Sequence, residues 1–340
     1  MRCYEFAKDG DAFRLDLTTR PDPVPAAGNV VVRVRAASLN YRDLIHLKNR
    51  AGRDVAGRIP LSDGAGDIVA IGSNVAGLTV GDRVVPNFFT AWKAGRFSMA
   101  YHASALGGPG VDGMLAEYAE LPADSLVPIP EHLLYEEAAC LPCAAVTAWQ
   151  ALAVRGRLQP GETILVLGTG GVSVFALQIG VAMGCPVIAT SGSDEKLERV
   201  RKLGAAHTIN SKTHPDWEKE VQRLTNKRGD DHVVEVGGGG TLAKSLASVA
   251  AGGHVALVGV LTGFGPPTES LFPLVGKNAT LSGIYVGSRA DFLALNAFLS
   301  HHRIRPTVDR TFPFDAAQDA FGLLEAAGHV GKIAVAISPT

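Results

Sequence analysis

The rhythm of apolar and polar positions changes twice along this chain. From residue 1 to about 130 the apolar runs are short and are broken by Gly, Pro and Asp. Residues 29–37 alternate apolar and charged side chains, the pattern of a half-buried strand. Residues 68–71 and 83–85 continue it, with Gly72-Ser-Asn-Val and Val80-Gly-Asp as turns. Short strands at this spacing predict a small barrel-like β domain. Within it, the polar-rich residues 37–46 are expected to start a short helix.

From about residue 144 to 287 the pattern becomes strands alternating with helices, which predicts a parallel sheet covered on both faces. Strands are expected at 163–167, 186–190, 207–209, 232–236, 254–258 and 279–286, with helices at 194–203, 217–225 and 241–250. Beyond residue 288, residues 291–301 and 314–325 read as helices, with Asp315 as N-cap of the second. Residues 332–337 close as a strand.

The sharpest local signal is the step from the apolar run 163–167 through Gly168, Gly170 and Gly171 into a second apolar run. Such a strand, glycine turn and helix suits a dinucleotide pyrophosphate. Gly168 permits the tight turn, Gly170 lets the backbone come near the phosphates, and the N–H groups opening the helix face the negative charge. A plain βα turn is the alternative reading, and the alternating strands and helices downstream favour the nucleotide.

Composition narrows the picture further. The 340 residues exceed one ordinary core and predict two domains. Hydrophobic residues make up 46% and the net charge is −1, which gives no electrostatic pull toward nucleic acid or membrane. No window approaches the ~18 uninterrupted apolar residues of a membrane span. The charged start, with Arg2, Glu5, Lys8 and Asp9, lacks the apolar core of a signal peptide. Cys3, Cys140, Cys143 and Cys185 are too few for a disulfide framework, so a reduced, cytoplasmic protein is expected. The sequon Asn278-Ala-Thr280 then has no glycosylation to direct. Pro142 at a helix start, with no second cysteine pair, favours a structural reading of Cys140-x-x-Cys143 over a redox or metal one.

Several motifs together carry a family resemblance. They are Ser38-Leu-Asn-Tyr-Arg-Asp43, Asp63-Gly-Ala-Gly66 with Ile-Val-Ala-Ile-Gly72, Val80-Gly-Asp-Arg-Val84, Leu141-Pro-Cys-Ala-Ala-Val-Thr-Ala-Trp149, the turn at 168–171 and Gly331-Lys-Ile-Ala-Val335. In this order, nearly end to end, they resemble the medium-chain dehydrogenase/reductases, and within them the zinc-free quinone oxidoreductase and alcohol dehydrogenase-like branch. The resemblance implies an α/β fold: a doubly wound parallel-sheet (Rossmann) domain at 144–287 and a discontinuous, mostly-β GroES-like domain at 1–143 and 288–340. It also implies a homodimer that covers the sheet edge at 279–286.

The resemblance sets Asn40, Ser62 and Cys143 where zinc-dependent members place Cys, His and Cys. Asn and Ser are poor Zn²⁺ ligands, and one thiolate is too few. The stretch 86–113, where the family's structural zinc would need four cysteines, contains none. The expectation is no metal, with His102 a surface or pocket-wall residue.

Cofactor residues implied by the resemblance are Thr147, Gly168, Thr169, Gly170, Gly171 and Val172, with Gly237, Val258, Gly259 and Val260 facing the nicotinamide. The glycines near 237 and 259 are expected to be required by a ring lying on the backbone. The acid that would select NAD is replaced by Ser191. Ser191, Ser193 and Lys196 can donate to a 2′-phosphate, so NADP is expected, with NAD possible. Asp194 and Glu195 weigh against this, unless they serve the helix dipole.

Without a metal, the negative charge on an acceptor oxygen must be met by hydrogen-bond donors and by delocalisation. This favours reduction of a conjugated carbonyl, a quinone or enone, with Asn40 and Tyr41 as donors. Arg42 stands where zinc enzymes keep a relay hydroxyl, and with Asp43 it reads either as a solvated pair or with Asp43 capping its helix. Phe88, Phe89 and Trp92 are either pocket wall or core. Three alternatives stay open: a dehydrogenase of simple alcohols, a zinc enzyme with other ligands, and a non-catalytic NADPH-binding protein.

Overall fold

The computed structural model describes residues 1–263, 265 and 270–337, so residues 338–340 of the expected first domain lie outside the described residues. The chain divides into two compact units, Met1–Val146 with Gly287–Thr340, and Thr147–Val286. The expected boundaries, 143/144 and 287/288, fall close to both divisions.

The first unit opens with the hairpin β1 (Arg2–Asp9) and β2 (Ala12–Thr19), which the sequence reading did not resolve. There follow β3 (Asn29–Ser38), β4 (Asp63–Ile71), β5 (Arg83–Pro86), β6 (Tyr118–Pro122) and β7 (Leu126–Pro128), with the short helix Tyr41–Leu47 after β3. In β3 the buried Val32 and Val34 alternate with the exposed Arg33 and the half-buried Arg35, and β3 pairs antiparallel with both β4 and β6.

The second unit holds β8 (Ile164–Leu167), β9 (Val187–Ser191), β10 (His207–Asn210), β11 (Asp230–Glu235), β12 (Val249–Leu257) and β13 (Thr280–Gly283). They form one parallel sheet ordered β10-β9-β8-β11-β12-β13. The order reverses beside β8, the switch point at which doubly wound sheets open a crevice at their strand ends. β8 and β9 are buried throughout, which explains their unbroken apolar runs. β12 begins directly after the helix Leu242–Ser248, earlier than the apolar pattern placed it.

The chain then returns to the first unit through the helix Arg289–His302, β14 (Val308–Pro313), the helix Ala317–Glu325 and β15 (Lys332–Ala336). β15 pairs antiparallel with β3, setting Ala334 opposite Ser38, and this pairing makes the unit discontinuous in sequence. Ser288 caps the helix Arg289–His302, with Asp291 returning a bond to the Ser288 N–H. Asp315 is not an N-cap. It lies on a 3-10 turn, Phe314–Ala316, and its carboxylate takes the Arg2 guanidinium at 3.0 Å.

One helix, Tyr135–Arg155, is long and apolar enough to cross a membrane by length and composition, yet 72% of its apolar window is buried in the protein, as in a core helix. It passes through π-helical turns at Leu141–Ala145 and Gln150–Arg155. Phe88, Phe89 and Trp92 are core, with exposures of 0%, 0% and 3%. Phe89 meets Phe88 edge-on at 4.6 Å and packs against Phe97 and His102, so the half-buried His102 belongs to an aromatic cluster.

Candidate functional site

In the second unit, the turn after β8 has the form its glycines predict. Gly168 has φ +71°, a region that only glycine enters freely, and its N–H donates to Thr190 Oγ1 at 3.3 Å. A β-carbon at Gly168 or Gly170 would meet nothing within 4 Å, so the backbone here faces open space. Gly170 is the N-cap of the helix Gly171–Ala182, and no side chain caps it. The first N–H groups of a helix lack partners within it, so those of Gly171 and Val172 are offered outward. Thr169 is buried beside them, and Ser173 ties the turn by donating to Leu167 O at 2.6 Å. An open glycine turn on an uncapped helix start fits a pyrophosphate.

Ser191 ends β9, and its Oγ accepts the Ser193 N–H at 3.3 Å. Ser193 is the N-cap of the helix Asp194–Lys202 and accepts the Lys196 N–H. Asp194 is turned to Asn210 Nδ2 at 2.7 Å. Lys212, which the sequence reading passed over, lays its methylenes against Gly192, 3.0 to 3.4 Å from where a β-carbon would stand. It follows β10, whose Ser211 N–H bonds Ser191 O, and only that parallel pairing reveals its place.

The glycines near the last two predicted loops stand close to other parts of their own chain. A β-carbon at Gly259 would meet Val236 O at 2.4 Å, and one at Gly237 would meet Thr241 Oγ1 at 2.2 Å. Packing of chain against chain thus already favours glycine at both positions. Glu235 organises this loop from a fully buried position. Its Oε1 accepts from Gly237 N, Gly238 N and Thr241 Oγ1 at 2.7, 3.0 and 2.6 Å, and its Oε2 accepts from Ser245. Val258 and Gly259 both direct their N–H groups to Glu235 O, and Val260 follows them. Thr147 is buried in the helix Tyr135–Arg155.

In the first unit, Asn40 caps the helix Tyr41–Leu47, and Asp43 Oδ2 accepts the Asn40 N–H at 2.7 Å. Asp43 is therefore a capping residue, and burial pushes its carboxyl up to about 6. Arg42 and Asp43 are not a solvated pair. The Arg42 guanidinium lies 4.6 Å over the Phe88 ring, donates to Leu106 O at 2.9 Å, and approaches Asp43 only to 3.8 Å. Tyr41 turns its hydroxyl to Arg50, from which it accepts at 2.8 Å, so the structure does not bring Tyr41 together with the Asn40 side chain.

What Asn40 does meet is Lys332, the first residue of β15. The ammonium, 3% exposed, donates to Asn40 Oδ1 at 2.6 Å and to Leu39 O, with Asp63 Oδ2 at 3.8 Å. Asp63 opens β4, and it accepts from Ser62 Oγ at 2.7 Å and from Cys143 N at 3.3 Å. Burial raises its carboxyl above the usual range, while Lys332, Asn40, Ser62 and Cys143 act in the other direction. Burial also pushes the Cys140 thiol up to about 11 and raises that of Cys143. Both motifs carrying Lys332 and Asp63 were legible in the sequence. Their meeting was not, although a lone lysine opening an apolar strand was a signal.

This donor set does not fit a zinc ion. Asn40 Oδ1 is taken by an ammonium that would repel a dication, Ser62 is spent on Asp63, and Cys143 alone offers a thiol. Among the described residues no group of three or more His, Cys, Asp or Glu could hold a metal.

Residues 26–131 match the alcohol dehydrogenase GroES-like domain, and residues 171–301 match the zinc-binding dehydrogenase family. A zinc-type alcohol dehydrogenase-like protein of Schizosaccharomyces pombe is 44% identical over 317 residues, covering 91% of each chain. An acryloyl-coenzyme A reductase of Metallosphaera sedula is 30% identical over 322 residues, covering 92% of this chain and 93% of that one. The crystal structure of a NAD-dependent alcohol dehydrogenase superposes with a TM-score of 0.89 at 32% identity, covering 99% and 100% of the two chains. A discontinuous GroES-like unit, a doubly wound parallel sheet and these relatives give one conclusion: the chain belongs to the medium-chain dehydrogenase/reductase superfamily of zinc-type alcohol dehydrogenase-like oxidoreductases.

Proposed function

We propose that this protein is a metal-independent, NADPH-dependent reductase of conjugated carbonyl compounds. The observation that carries this reading is Asn40, whose Nδ2 is buried without a hydrogen-bond partner while its Oδ1 is held by Lys332. A buried donor left unmet costs about 1–3 kcal/mol, and in a functional protein it calls for a ligand. Its natural partner is an oxygen gaining negative charge.

The cofactor supplies the hydride when bound. The N–H groups of Gly171 and Val172 would receive its pyrophosphate, and Gly168 and Gly170 would leave room for it. Ser191, Ser193, Lys196 and Lys212 present hydroxyl and ammonium donors to a 2′-phosphate, with no carboxylate at position 191 to repel it. Asn40 Nδ2 donates to the acceptor oxygen as charge develops there. A conjugated acceptor takes hydride at carbon, spreads the resulting charge into an enolate, and recovers a proton from water. One amide donor suffices for this better than for an isolated aldehyde. The likeness to an acryloyl-coenzyme A reductase supports a conjugated acceptor, and the likeness to a NAD-dependent alcohol dehydrogenase makes NADH the necessary comparison.

A cytoplasmic homodimer completes the reading. It is supported by β13 at the end of the sheet and by Phe272 and Val275, which are 70% and 74% exposed on the same unit.

The test is NADPH and NADH consumption with 1,4-benzoquinone, an enone, an enoyl thioester and a simple aldehyde, with and without chelator. Chelator-insensitive turnover of the conjugated acceptors with NADPH is the expected result. Chelator-sensitive aldehyde reduction would overturn the metal-independent reading, and saturable NADPH binding with no turnover would leave a binding protein.

A further inference from the structure

Four separate parts of the first unit meet in one buried network, in which Lys332 and Asp63 neighbour the Asn40 side chain and Cys143 joins through Asp63. They are the cap of the helix Tyr41–Leu47, the start of β15 at Lys332, the start of β4 at Asp63, and the π-helical turn that contains Cys143. An ammonium has donors only, so the side-chain atom of Asn40 that faces Lys332 at 2.6 Å must be the carbonyl oxygen. The direction of this amide is thereby fixed by chemistry. Its Nδ2 is left on the other branch, facing Asp63 and favouring that carboxylate's charge, but without the geometry of a full hydrogen bond.

If Lys332 served only to neutralise Asp63, its short contacts would go to the carboxylate. They go instead to Asn40 Oδ1 and Leu39 O, and Asp63 stays 3.8 Å away. Leu39 is further held by its own N–H on Ile333 O at 3.1 Å, and Ser38 Oγ donates to the same carbonyl at 3.0 Å. The lysine therefore grips two consecutive residues at the entry to the helix, from a strand that is itself stitched to them. A positive charge on an amide oxygen also draws electron density from the nitrogen and makes its N–H a stronger donor.

We propose that Lys332 is a positioning residue, which fixes the Asn40 amide with Nδ2 as donor and strengthens that donor toward the acceptor oxygen. The inference rests on the reading of Asn40 as the donor to that oxygen. It assigns to this chain a lysine that acts on substrate through an asparagine.

The experiment is a double-mutant cycle with Asn40→Ala and Lys332→Met. It is read as kcat, KM for an enone and NADPH affinity by fluorescence titration, each variant checked by circular dichroism. Asn40→Ala is expected to lower kcat about 100-fold, as loss of one oxyanion donor does. Lys332→Met is expected to lower kcat roughly 10-fold or more, with NADPH affinity unchanged, and the double variant to fall no further than Asn40→Ala alone. Because Lys332→Met strands the Asp63 charge, Lys332→Met/Asp63→Asn is measured beside it and should show the same kcat loss in a stably folded protein. Side-chain amide resonances of protein labelled with ¹⁵N-asparagine supply a second readout. The Asn40 pair, assigned by its loss in Asn40→Ala, should move in Lys332→Met/Asp63→Asn without any substrate present.

An undiminished kcat in Asn40→Ala overturns the reading of Asn40, and with it the inference. An impaired Asn40→Ala beside an unimpaired Lys332→Met/Asp63→Asn overturns the inference alone. So does a loss in the Asn40→Ala/Lys332→Met double variant equal to the product of the separate losses, or an Asn40 amide signal that does not move.

Discussion

The methylene stem of Lys212 lies against Gly192, which joins Ser191 to Ser193 at the end of β9. Its backbone N–H is fixed by Asn210 Oδ1 at 3.0 Å. Lys212 therefore stands beside the very turn whose side chains separate NADPH from NADH in the proposed function. Lys212→Ala should raise KM for NADPH about tenfold and leave KM for NADH nearly unchanged, since a charge-assisted contact to phosphate is lost. Steady-state kinetics with both cofactors measure this, and an equal effect on both would remove Lys212 from phosphate binding.

Gly170 allows folding and cofactor binding to be separated. Its φ of −77° suits any residue and its β-carbon position is empty, so Gly170→Ala is expected to shift the unfolding midpoint by less than about 1 kcal/mol. The added methyl would occupy the space assigned to the pyrophosphate, and cofactor affinity should fall at least tenfold. Gly168→Ala should behave differently. With φ +71° it should cost roughly 1–2 kcal/mol of stability through backbone strain alone. Urea unfolding and fluorescence titration of both variants distinguish the two effects.

Glu235 gathers the glycine loop after β11 by accepting from Gly237, Gly238, Thr241 and Ser245. Glu235→Gln removes the charge and can keep the three donors on Oε1 only by turning its NH2 to the Ser245 hydroxyl, which must then reverse from donor to acceptor. A loss of about 2–3 kcal/mol is expected, as for a buried charged hydrogen-bond acceptor. Hydrogen exchange should show faster opening at 237–242, and protection there equal to wild type would contradict the role assigned to the carboxylate.

Asp230 gives a pH prediction. It is fully buried, its Oδ1 has no partner, and burial pushes its carboxyl up to about 7. A carboxyl raised in the folded state binds its proton more tightly there than in the unfolded chain. Its ionisation thus costs stability, and the cost grows as pH rises from near 4 to near 7. Asp230→Asn should stabilise the protein relative to wild type by on the order of 2–4 kcal/mol at pH 8 and by clearly less at pH 5. Buried His254, held down to about 4, has the opposite slope, and its stability is lost as pH falls from 6.5 toward 4. Paired urea curves at the two pH values isolate the Asp230 term, because His254 is common to both proteins.

Much of the fold was legible because its signals are local. The glycine turn at 168–171 needs only its own φ values and the apolar runs on either side. The strands of the parallel sheet are buried on both faces, so their apolar runs stand out unaided. The hairpin of β1 and β2 went unread although Tyr4-Glu5-Phe6 and Phe13-Arg14-Leu15-Asp16-Leu17 alternate apolar and charged positions. Asp315 reads as a cap by position alone, whereas the structure spends its carboxylate on Arg2, distant in sequence.

By itself, the sequence determined the two-unit plan, the doubly wound sheet and the strand, glycine turn and helix at 163–182, because periodicity, glycine placement and motif order are properties of neighbouring residues. Only the tertiary structure decided the partners. Lys332 reaches Asn40 because β15 returns to pair with β3, and Lys212 reaches Gly192 because β10 runs beside β9. Tyr41, adjacent to Asn40 in the chain, is carried by the helix to Arg50 instead. The physical reason is the same in each case. A buried polar group must find its partner through the backbone pairing that brings distant segments together, and that pairing leaves no trace in the spacing of residues along the chain.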